Sequence, residues 1–385
     1  MEGTLLITNV TVINSDEDAF VADIFVKNGQ IIKVGSSFNL TADTIIDGIG
    51  KFLLPGYIDM HIHGALGNDT MDATKKALHG LACSLVKEGT TSFLATTMTQ
   101  SPQAIEAALK NIKDYKSSEN ESEVLGIHLE GPYVSKKRAG AQPKTHIVPP
   151  NIEQFLYWQK LSGNKIKEIT IAPEVEGGIE FIEEIAKQNI VISIGHSDAT
   201  IGEVEKAIES GVKQGTHLYN QMRPYHHREP GVVGGVLMSE KVKVELIVDF
   251  IHVHPKAVDF TYRVKGAENI ILITDAIRAK GVSYGDYDLG GQMVHVSEKG
   301  AYLPNGTLAG SVLTMDIAVR NMRKATNCSL QDLVKMSSTN ACQQLGITTK
   351  GHIAEGFDAD FVLLDQDLYV QKTIRQGKVV FESCK

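Results

Sequence analysis

The two ends of the chain share a pattern of short apolar runs that is typical of β-hairpins. In the first fifty residues the runs are LLITNVTVI, ADIFVKN, QIIKVG and DTIIDGIG, and Asn28-Gly29 and Gly35 interrupt them. The last thirty-five residues contain the similar runs ADFVLLDQ, LYVQKTIRQ and GKVVFES. Short apolar runs separated by glycine-containing turns predict antiparallel strands. Because chain termini often lie close together, we expect residues 1–54 and 348–385 to form one small β-sandwich domain.

Between these ends, apolar strands alternate with amphipathic helical segments. Eight strands are predicted, at residues 57–63, 91–97, 124–130, 168–174, 189–196, 212–218, 244–250 and 269–275. Helical periodicity follows most of them, in ATKKALHGLACSLVKEG, SPQAIEAALKNIKDYK, GIEFIEEIAKQ, IGEVEKAIESG and PKAVDFTYRVKG. Nearly continuous apolar strands indicate a parallel sheet that is covered on both faces. We therefore expect an α/β protein whose residues 55–347 form a (β/α)8 TIM-like barrel.

Composition narrows the class of protein without changing this picture. The 385 residues carry a formal net charge of -8, which argues against nucleic acid or an anionic membrane as the partner. No apolar run approaches the ~20 residues of a membrane span, and the N-terminus lacks the basic start of a secretory signal. The four cysteines, Cys83, Cys328, Cys342 and Cys384, show no C-x-x-C spacing. We expect reduced thiols and a cytoplasmic location.

Side chains that can bind metal fall where the predicted barrel strands end. The carboxyl ends of barrel strands meet at one rim, where the chemistry of such folds collects. The candidate ligands are His61 and His63 on strand one, Glu130 on strand three, His196 on strand five, His217 on strand six and Asp275 on strand eight. Imidazoles with carboxylates predict one or two divalent metal ions per subunit, namely Zn, Fe(II), Mn or Co. Asp275 is the candidate general base and acid.

Each of these residues also has a simpler interpretation. A single histidine at a strand end is more often a hydrogen-bonded core residue than a ligand, and Asp275 alone could cap a loop. The agreement among several separate strand ends favours a metal site. A second H-x-H pair, His252 and His254, is not counted among the ligands, and the basic run 136–138 is interpreted as a solvated surface.

A series of motifs runs in a fixed order through the chain. They are PGYIDMHIHG, GIHLEGPYVS, SIGHSDAT, GTHLYNQMRPYHHREPG, DFIHVHP, LITDAI, LAGS and, near the end, GFDADFVLLD. Together they resemble the N-acetylglucosamine-6-phosphate deacetylase family of the amidohydrolase superfamily, over essentially the whole chain. The resemblance implies metal-dependent hydrolysis of N-acetyl-D-glucosamine 6-phosphate to D-glucosamine 6-phosphate and acetate, in amino-sugar catabolism or cell-wall recycling.

The resemblance also implies roles for individual residues. Glu130, His196 and His217 match metal ligands found throughout the family, whereas His61 and His63 match a pair that only some members carry. Asp275 matches the residue that activates water and then protonates the departing amine. The positions that match substrate contacts are Ala141, Gln142, Asn220, Gln221, Arg228, His252, Leu308, Ala309, Gly310 and Ser311, with Arg228 as the phosphate-binding arginine. In the family a neighbouring subunit often helps close the phosphate pocket, which implies a homodimer.

Some positions depart from the family pattern, and other functions stay open. Gln142 stands where members often carry histidine, Gln221 replaces a small residue, and Arg223 adds a charge nearby.

A D-aminoacylase-like or dihydroorotase-like amidohydrolase would carry a bridging lysine on strand four, which here ends in Pro173-Glu174. A non-catalytic sugar-phosphate-binding barrel should have lost ligands or the base, yet all six positions are filled.

Overall fold

The N-terminal part of the chain folds into five strands. In the computed structural model, which describes residues 3–36, 38 and 40–384, they are β1 (Thr4–Val12), β2 (Phe20–Lys27), β3 (Gln30–Gly35), β4 (Thr44–Asp47) and β5 (Phe52–Pro55). β1 pairs antiparallel with β2 on one side and parallel with β4 and β5 on the other. The β2–β3 hairpin turns at Asn28-Gly29, where φ is 53° and 81°, the left-handed backbone that a tight hairpin turn requires.

A sheet of eight parallel strands follows and closes on itself. The strands from Tyr57 onward are β6 (Tyr57–Ile62), the small hairpin β7 (Gly64–Ala65) and β8 (Asn68–Asp69), then β9 (Thr90–Thr96), β10 (Glu123–Glu130), β11 (Ile166–Ile171), β12 (Val191–Ile194), β13 (Gln214–Gly215), β14 (Lys243–Ile247) and β15 (Ile270–Ile273). The sheet order is β15-β14-β13-β12-β11-β10-β9-β6. A bridge from Ile62 to Ala276 and a 2.8 Å hydrogen bond from Asp275 N to His61 O join the last strand to the first. The predicted barrel is confirmed.

Helices cover the outside of the barrel. They are α1 (Lys75–Leu85), α2 (Pro102–Asp114), α3 (Ile152–Leu161), α4 (Gly178–Ile185), α5 (Ile201–Ser210), α6 (Gly231–Met238), α7 (Pro255–Lys265), α8 (Met315–Thr326), α9 (Leu330–Val334) and α10 (Asn340–Leu345), with a π-helical turn, Lys335–Thr339, between the last two. One of the helices α1–α8 follows each barrel strand. α2 begins where the Ser101 side chain caps Ala104 N and Pro102 supplies the first turn. Among the described residues, no helix combines the length and the apolar character needed to cross a membrane.

Several parts of the barrel region were not predicted, namely α3, α6, α8, α9, α10 and an inserted sheet. α6 is apolar on nearly all sides, since residues 231–237 are all buried, so it has no polar face to reveal a helical repeat. A three-stranded antiparallel sheet is inserted between β15 and α8: β16 (Gly285–Leu289), β17 (Gln292–Ser297) and β18 (Gly300–Tyr302). Its side chains form a separate apolar cluster above the barrel with Met98, Ile277 and Ala309.

Three barrel strands stop short of the candidate ligand or base that their sequence patterns include. The patterns place His196, His217 and Asp275 at strand ends, but β12, β13 and β15 each stop two residues before them. At these residues φ is 46°, 33° and 48°, a left-handed conformation that ends strand pairing. The three side chains therefore lie on the rim, just beyond the strands.

The C-terminal strands return to the N-terminal sheet. They are β19 (Phe361–Leu364), β20 (Val370–Arg375) and β21 (Lys378–Glu382), and the complete order is β21-β20-β19-β5-β1-β2-β3, with β4 also on β1. Ile24 and Val26 from one end of the chain and Phe361 and Leu363 from the other share an apolar core that is separate from the barrel core. The small β domain built from both termini is confirmed, whereas its boundaries after residue 54 and before residue 348 stay a prediction.

Candidate active site

The six side chains singled out as ligands or base lie together in the mouth of the barrel. Each residue is at most 8% exposed. Their metal-binding atoms form two compact groups, one of His61, His63 and Asp275 and one of Glu130, His196 and His217, and within each group these atoms lie within 4.8 Å of one another. Residues separated by more than two hundred positions in the chain are thus brought to one rim.

Glu130 lies between the two groups and contacts both. Its Oε1 is 3.1 Å from His196 Nε2 and 3.3 Å from His217 Nε2. Its Oε2 is 3.3 Å from His63 Nε2 and accepts a 2.7 Å hydrogen bond from Gln142 Nε2. Burial by itself raises the pKa of Glu130, but the surrounding imidazoles of His61, His196 and His217 outweigh burial and lower this pKa well below its usual range. An ionised carboxylate between two sets of imidazoles has the position expected of a bridging ligand.

Asp275 faces the same space from the end of strand eight. Its Oδ1 is 3.3 Å from His63 Nε2 and 3.5 Å from His61 Nε2. Burial by itself raises the pKa of Asp275, but the charge of His61 and the hydrogen bond from His63 outweigh it and lower this pKa to about 2. The carboxylate is therefore ionised at neutral pH.

The spacing of these atoms fits divalent ions. Two ligand atoms that bind one ion at ~2.0–2.2 Å lie about 3.0–3.5 Å apart. His196 Nε2 and His217 Nε2 are 3.1 Å apart, and one oxygen of Glu130 is 3.1 Å and 3.3 Å from them. His61 Nε2 is buried without a hydrogen-bond partner, 3.6 Å from the same oxygen. Nitrogens that face one another, and one that is left unpaired, are accounted for by ions between them and not by hydrogen bonds alone.

The ring of His196 is held from behind by the loop after β10. Its Nδ1 donates a 2.8 Å hydrogen bond to the backbone oxygen of Arg138. The proton on Nδ1 leaves Nε2 bare and turned toward Glu130, which is the form of imidazole that binds metal. In the basic run that contains Arg138, Lys136 and Lys137 are exposed, as a solvated surface predicts, and Lys137 and Arg138 also pair with Asp198, at 2.5 Å and 2.6 Å.

A cavity opens above the six residues. Most of the positions that match substrate contacts line it, namely Ala141, Gln142, Asn220, Gln221, His252, Leu308 and Gly310. His252 Nδ1 donates to Asp249 Oδ2 at 2.7 Å. Burial by itself lowers the pKa of His252, but this hydrogen bond outweighs it and raises the pKa. The wall therefore combines side-chain amide groups with one imidazole whose pKa is raised.

Three of the positions that match substrate contacts do not line this cavity. Arg228 is exposed, and its Nη1 is 2.9 Å from His227 Nε2. Ala309 is fully buried, and the hydroxyl of Ser311 donates to Thr274 O at 2.6 Å. Ala309 and Ser311 thus support the wall from behind, and Arg228 lies on a loop outside it.

Sequence reasoning missed the apolar part of the wall. Met98, Ile277 and Leu289 line the cavity and are almost fully buried. Ile277 lies two residues after Asp275, a spacing that could have identified it. Leu289 ends β16, and the sequence pattern gave no sign of that inserted sheet. Gly310, with φ of 63°, lets its loop approach this wall, since an added Cβ would lie 2.5 Å from Ile277 Cγ2.

Comparisons with known proteins identify close relatives along the whole chain. The Amidohydrolase family matches residues 52–380. The N-acetylglucosamine-6-phosphate deacetylase of Lysinibacillus sphaericus is 54% identical over 377 residues, 98% of this chain and 97% of that protein. The crystal structure of the Thermotoga maritima deacetylase has a TM-score of 0.90 at 40% identity, covering 98% of this chain and 100% of the other. A mutant of the Mycobacterium smegmatis deacetylase, in complex with N-acetyl-D-glucosamine-6-phosphate, has a TM-score of 0.91 at 28% identity and covers 98% and 99%.

The similarity is not limited to the barrel. The family match begins in β5 and ends in β21, so it includes the C-terminal strands of the small domain. The relatives and solved structures named above are covered almost completely by this chain. The resemblance inferred from the motifs is confirmed. The chain belongs to the amidohydrolase family, among its N-acetylglucosamine-6-phosphate deacetylases.

Proposed function

We propose that this chain is a metal-dependent deacetylase that hydrolyses N-acetyl-D-glucosamine 6-phosphate to D-glucosamine 6-phosphate and acetate. The observation that carries the proposal is the pair of buried ligand groups at the floor of a polar cavity. Full-length relatives bear the name of this activity, and one solved relative holds this sugar phosphate. The reaction belongs to amino-sugar catabolism or cell-wall recycling.

The two ligand groups would hold one or two divalent ions. Glu130, His196 and His217 form one position, and His61 and His63 extend it to a second with Glu130 shared between them. Their nitrogen and oxygen donors suit Zn, Fe(II), Mn or Co. Bound there, such ions supply Lewis acidity toward the amide carbonyl and make water a better nucleophile at neutral pH.

Asp275 moves the proton in this proposal. It takes a proton from the water that attacks the acetyl carbonyl, and it delivers that proton to the amide nitrogen as the C–N bond breaks. Water thus supplies one oxygen to acetate and one proton to the amine. The delivery is required because an unprotonated amine is a poor leaving group. The ionised state of Asp275 and its position beside His63, facing the cavity, support this role.

The cavity wall would bind the sugar. Asn220, Gln221 and His252 offer hydrogen-bonding groups on one side, and Ala141, Leu308 and Gly310 offer small or apolar surface on the other. Gln142 is the departure from the family pattern. Since it donates to Glu130 and accepts a 2.8 Å hydrogen bond from Thr99 N, we assign it the task of holding Glu130 beside the substrate.

We propose further that the chain acts as a homodimer in the cytoplasm, with Arg228 of one subunit completing the phosphate pocket of the other. The exposed position of Arg228, outside the cavity of its own subunit, supports this arrangement. Neighbouring helices α6 and α7 also expose large apolar side chains, Met238 (72%) and Phe260 (53%), which a second subunit could cover. All four cysteines, each within the described residues, are free thiols, as a reducing compartment favours.

The test is an acetate-release assay on purified protein, run with elemental analysis of bound metal. We expect turnover of N-acetyl-D-glucosamine 6-phosphate, its loss after chelation and its return when a divalent ion is added. Unphosphorylated N-acetylglucosamine is the matched control and should be a much poorer substrate. A protein that carries its metal and releases no acetate with any of the four candidate ions would refute the proposal.

A further inference from the structure

Glu245 lies beneath the metal centre and contacts both ligand groups. It is on β14 and is fully buried. Its Oε2 accepts from His61 Nδ1 at 3.0 Å and from the backbone N–H of His217 at 3.1 Å. Its Oε1 accepts from Gln214 Nε2 at 2.9 Å. One carboxylate therefore joins the side chain of a histidine in one group to the backbone of a histidine in the other.

The contact with Glu245 determines how His61 faces the centre. Because a carboxylate oxygen accepts from Nδ1, this nitrogen carries the proton and Nε2 is bare. Nε2 is the atom that lies 3.6 Å from Glu130 and 3.5 Å from Asp275 with no hydrogen bond of its own. A histidine can ligate a metal only through a bare nitrogen, and a carboxylate behind the ring commonly sets that state.

The hydrogen-bond donors around position 245 favour a carboxylate there. Three N–H groups, from His61, His217 and Gln214, point at its two oxygens. A glutamine amide has only one oxygen and would point its NH2 group at one of these donors. One buried donor would lose its acceptor, and the hydrogen bond that holds the buried ring of His61 would be lost or would change from a charge-assisted to a weaker neutral one.

We propose that Glu245 is a positioning residue that makes the second ion of the centre possible, by aiming His61 Nε2 at the space shared with His63 and Asp275. The inference rests on the proposed metal-dependent function and deepens it. The group of Glu130, His196 and His217 touches Glu245 only through a backbone amide. Loss of Glu245 should therefore weaken the ion held by His61 and His63 and leave the other in place.

Glu168 provides a matched control. It is also a fully buried barrel carboxylate, on β11, and it accepts from the same Gln214 Nε2 at 2.5 Å. It also lies beside the Glu245 side chain and 3.8 Å from the ring of His128, which is not a ligand in this proposal. Burial and the neighbouring Glu245 raise the pKa of Glu168 well above its usual range. Glu168→Gln thus changes a buried carboxyl group to an amide of nearly the same size within the same polar layer.

The experiment compares the unmodified protein with Glu245→Gln and Glu168→Gln. Each is stripped of metal, reloaded with zinc, titrated against a chelator of known affinity and measured by elemental analysis. We expect about two ions per chain for the unmodified protein and for Glu168→Gln. For Glu245→Gln we expect the affinity for one ion to fall about 10–100-fold while the other ion stays. ¹⁵N NMR of the histidine rings of the metal-free protein should show the proton on His61 Nδ1 in the control and its loss or exchange in Glu245→Gln.

Two unchanged affinities in Glu245→Gln would overturn the inference. Equal losses in both variants would also overturn it, because they would reflect a general disturbance of the polar layer. If Glu245→Gln does not fold, Glu245→Asp, which keeps the charge and shortens its reach, is titrated in the same way, and an unchanged second affinity overturns the inference there. Fewer than two ions on the unmodified protein would overturn it as well, and no ion at all would also end the proposed function.

Discussion

At the scale of single residues, the active site depends on side chains held in strained backbone conformations. His196, His217 and Asp275 have φ of 46°, 33° and 48°. The left-handed region crowds the Cβ of such residues at a cost of about 1–2 kcal/mol each. Hydrogen bonds offset this cost: Asp275 N donates to His61 O at 2.8 Å, and His217 N donates to Glu245 at 3.1 Å. Strain of this kind is typical of functional sites, and here it turns three side chains inward from the rim.

Asp275→Asn tests the proton transfer. The amide has nearly the size of the carboxylate but accepts no proton, so we expect kcat to fall about 10²–10⁴-fold. The ion at Glu130, His196 and His217 should remain, as elemental analysis will show. Asp286→Asn, on the exposed face of β16, is the control and should keep its kcat. A near-normal kcat in Asp275→Asn would mean that another group is the base.

At the scale of elements, the inserted sheet β16–β18 forms one wall of the cavity. The tip of its first hairpin is tied to the barrel by two side-chain amides, from Gln100 Nε2 to Gly290 O at 2.9 Å and from Gln292 Nε2 to Ala141 O at 2.5 Å. Gly290, with φ of 59°, allows close contact, since an added Cβ would lie 2.6 Å from Met98 Sδ. The tip therefore presses Leu289 against the site.

Gln292→Ala tests whether this wall helps to bind substrate. Removal of one neutral hydrogen bond costs about 1 kcal/mol, which corresponds to about a fivefold shift of the docked tip toward an open state. We expect KM for the sugar phosphate to rise by up to that factor, with kcat nearly unchanged. Met293→Ala removes the next side chain, which is 57% exposed, and serves as the control. An unchanged KM in Gln292→Ala would assign the hairpin a purely structural part.

At the scale of the whole molecule, Lys350 connects the small β domain to the amino end of the barrel. Its Nζ is 2.5 Å from Asp360, 3.0 Å from Glu123 and 3.3 Å from Asp358. Glu123 begins β10, and the two aspartates precede β19. The lysine side chain is only 7% exposed, so its charge is compensated by these carboxylates and not by water.

Lys350→Met tests this connection. The change leaves carboxylates without their cation, and we expect the free energy of unfolding to fall by about 3 kcal/mol. Urea denaturation measures it. Lys378→Met, in the same terminal segment, breaks a pair with Glu119 whose side chains are 45% and 56% exposed, and it should cost about 0–1 kcal/mol. Equal losses in the two variants would contradict a special role for the buried lysine.

Arg228→Ala tests the proposed dimer together with its phosphate pocket. A charge-assisted hydrogen bond contributes about 1.5–3 kcal/mol, so KM for the phosphorylated sugar should rise about 10–100-fold. KM for the unphosphorylated sugar should not change. Lys187→Ala removes another exposed cation, which follows α4, away from α6 and α7, and pairs with Glu184, and it is the control. Equal effects on both sugars, or a monomer in sedimentation analysis, would contradict the proposal.

Local patterns of apolar and polar residues in the sequence predict much of this architecture. Apolar runs and turn residues predicted the barrel and the small domain because burial on a sheet or helix repeats along the chain. The same alternation located His61, His63, Glu130 and Asp275, since polar residues after apolar strands must lie at a rim. The motifs identified the family because the residues that bind metal and transfer the proton must keep both their chemical type and their spacing along the chain.

Only the tertiary structure decided which groups meet. The contact of His61 with Glu245 joins residues 184 positions apart and exists because the barrel closes. The left-handed turns, the hairpin wall with Leu289 and the exposed place of Arg228 likewise have no local signature. A sequence pattern records whether a residue is buried and on which face it lies. It does not record the partner across the barrel, because that depends on how distant strands are brought side by side.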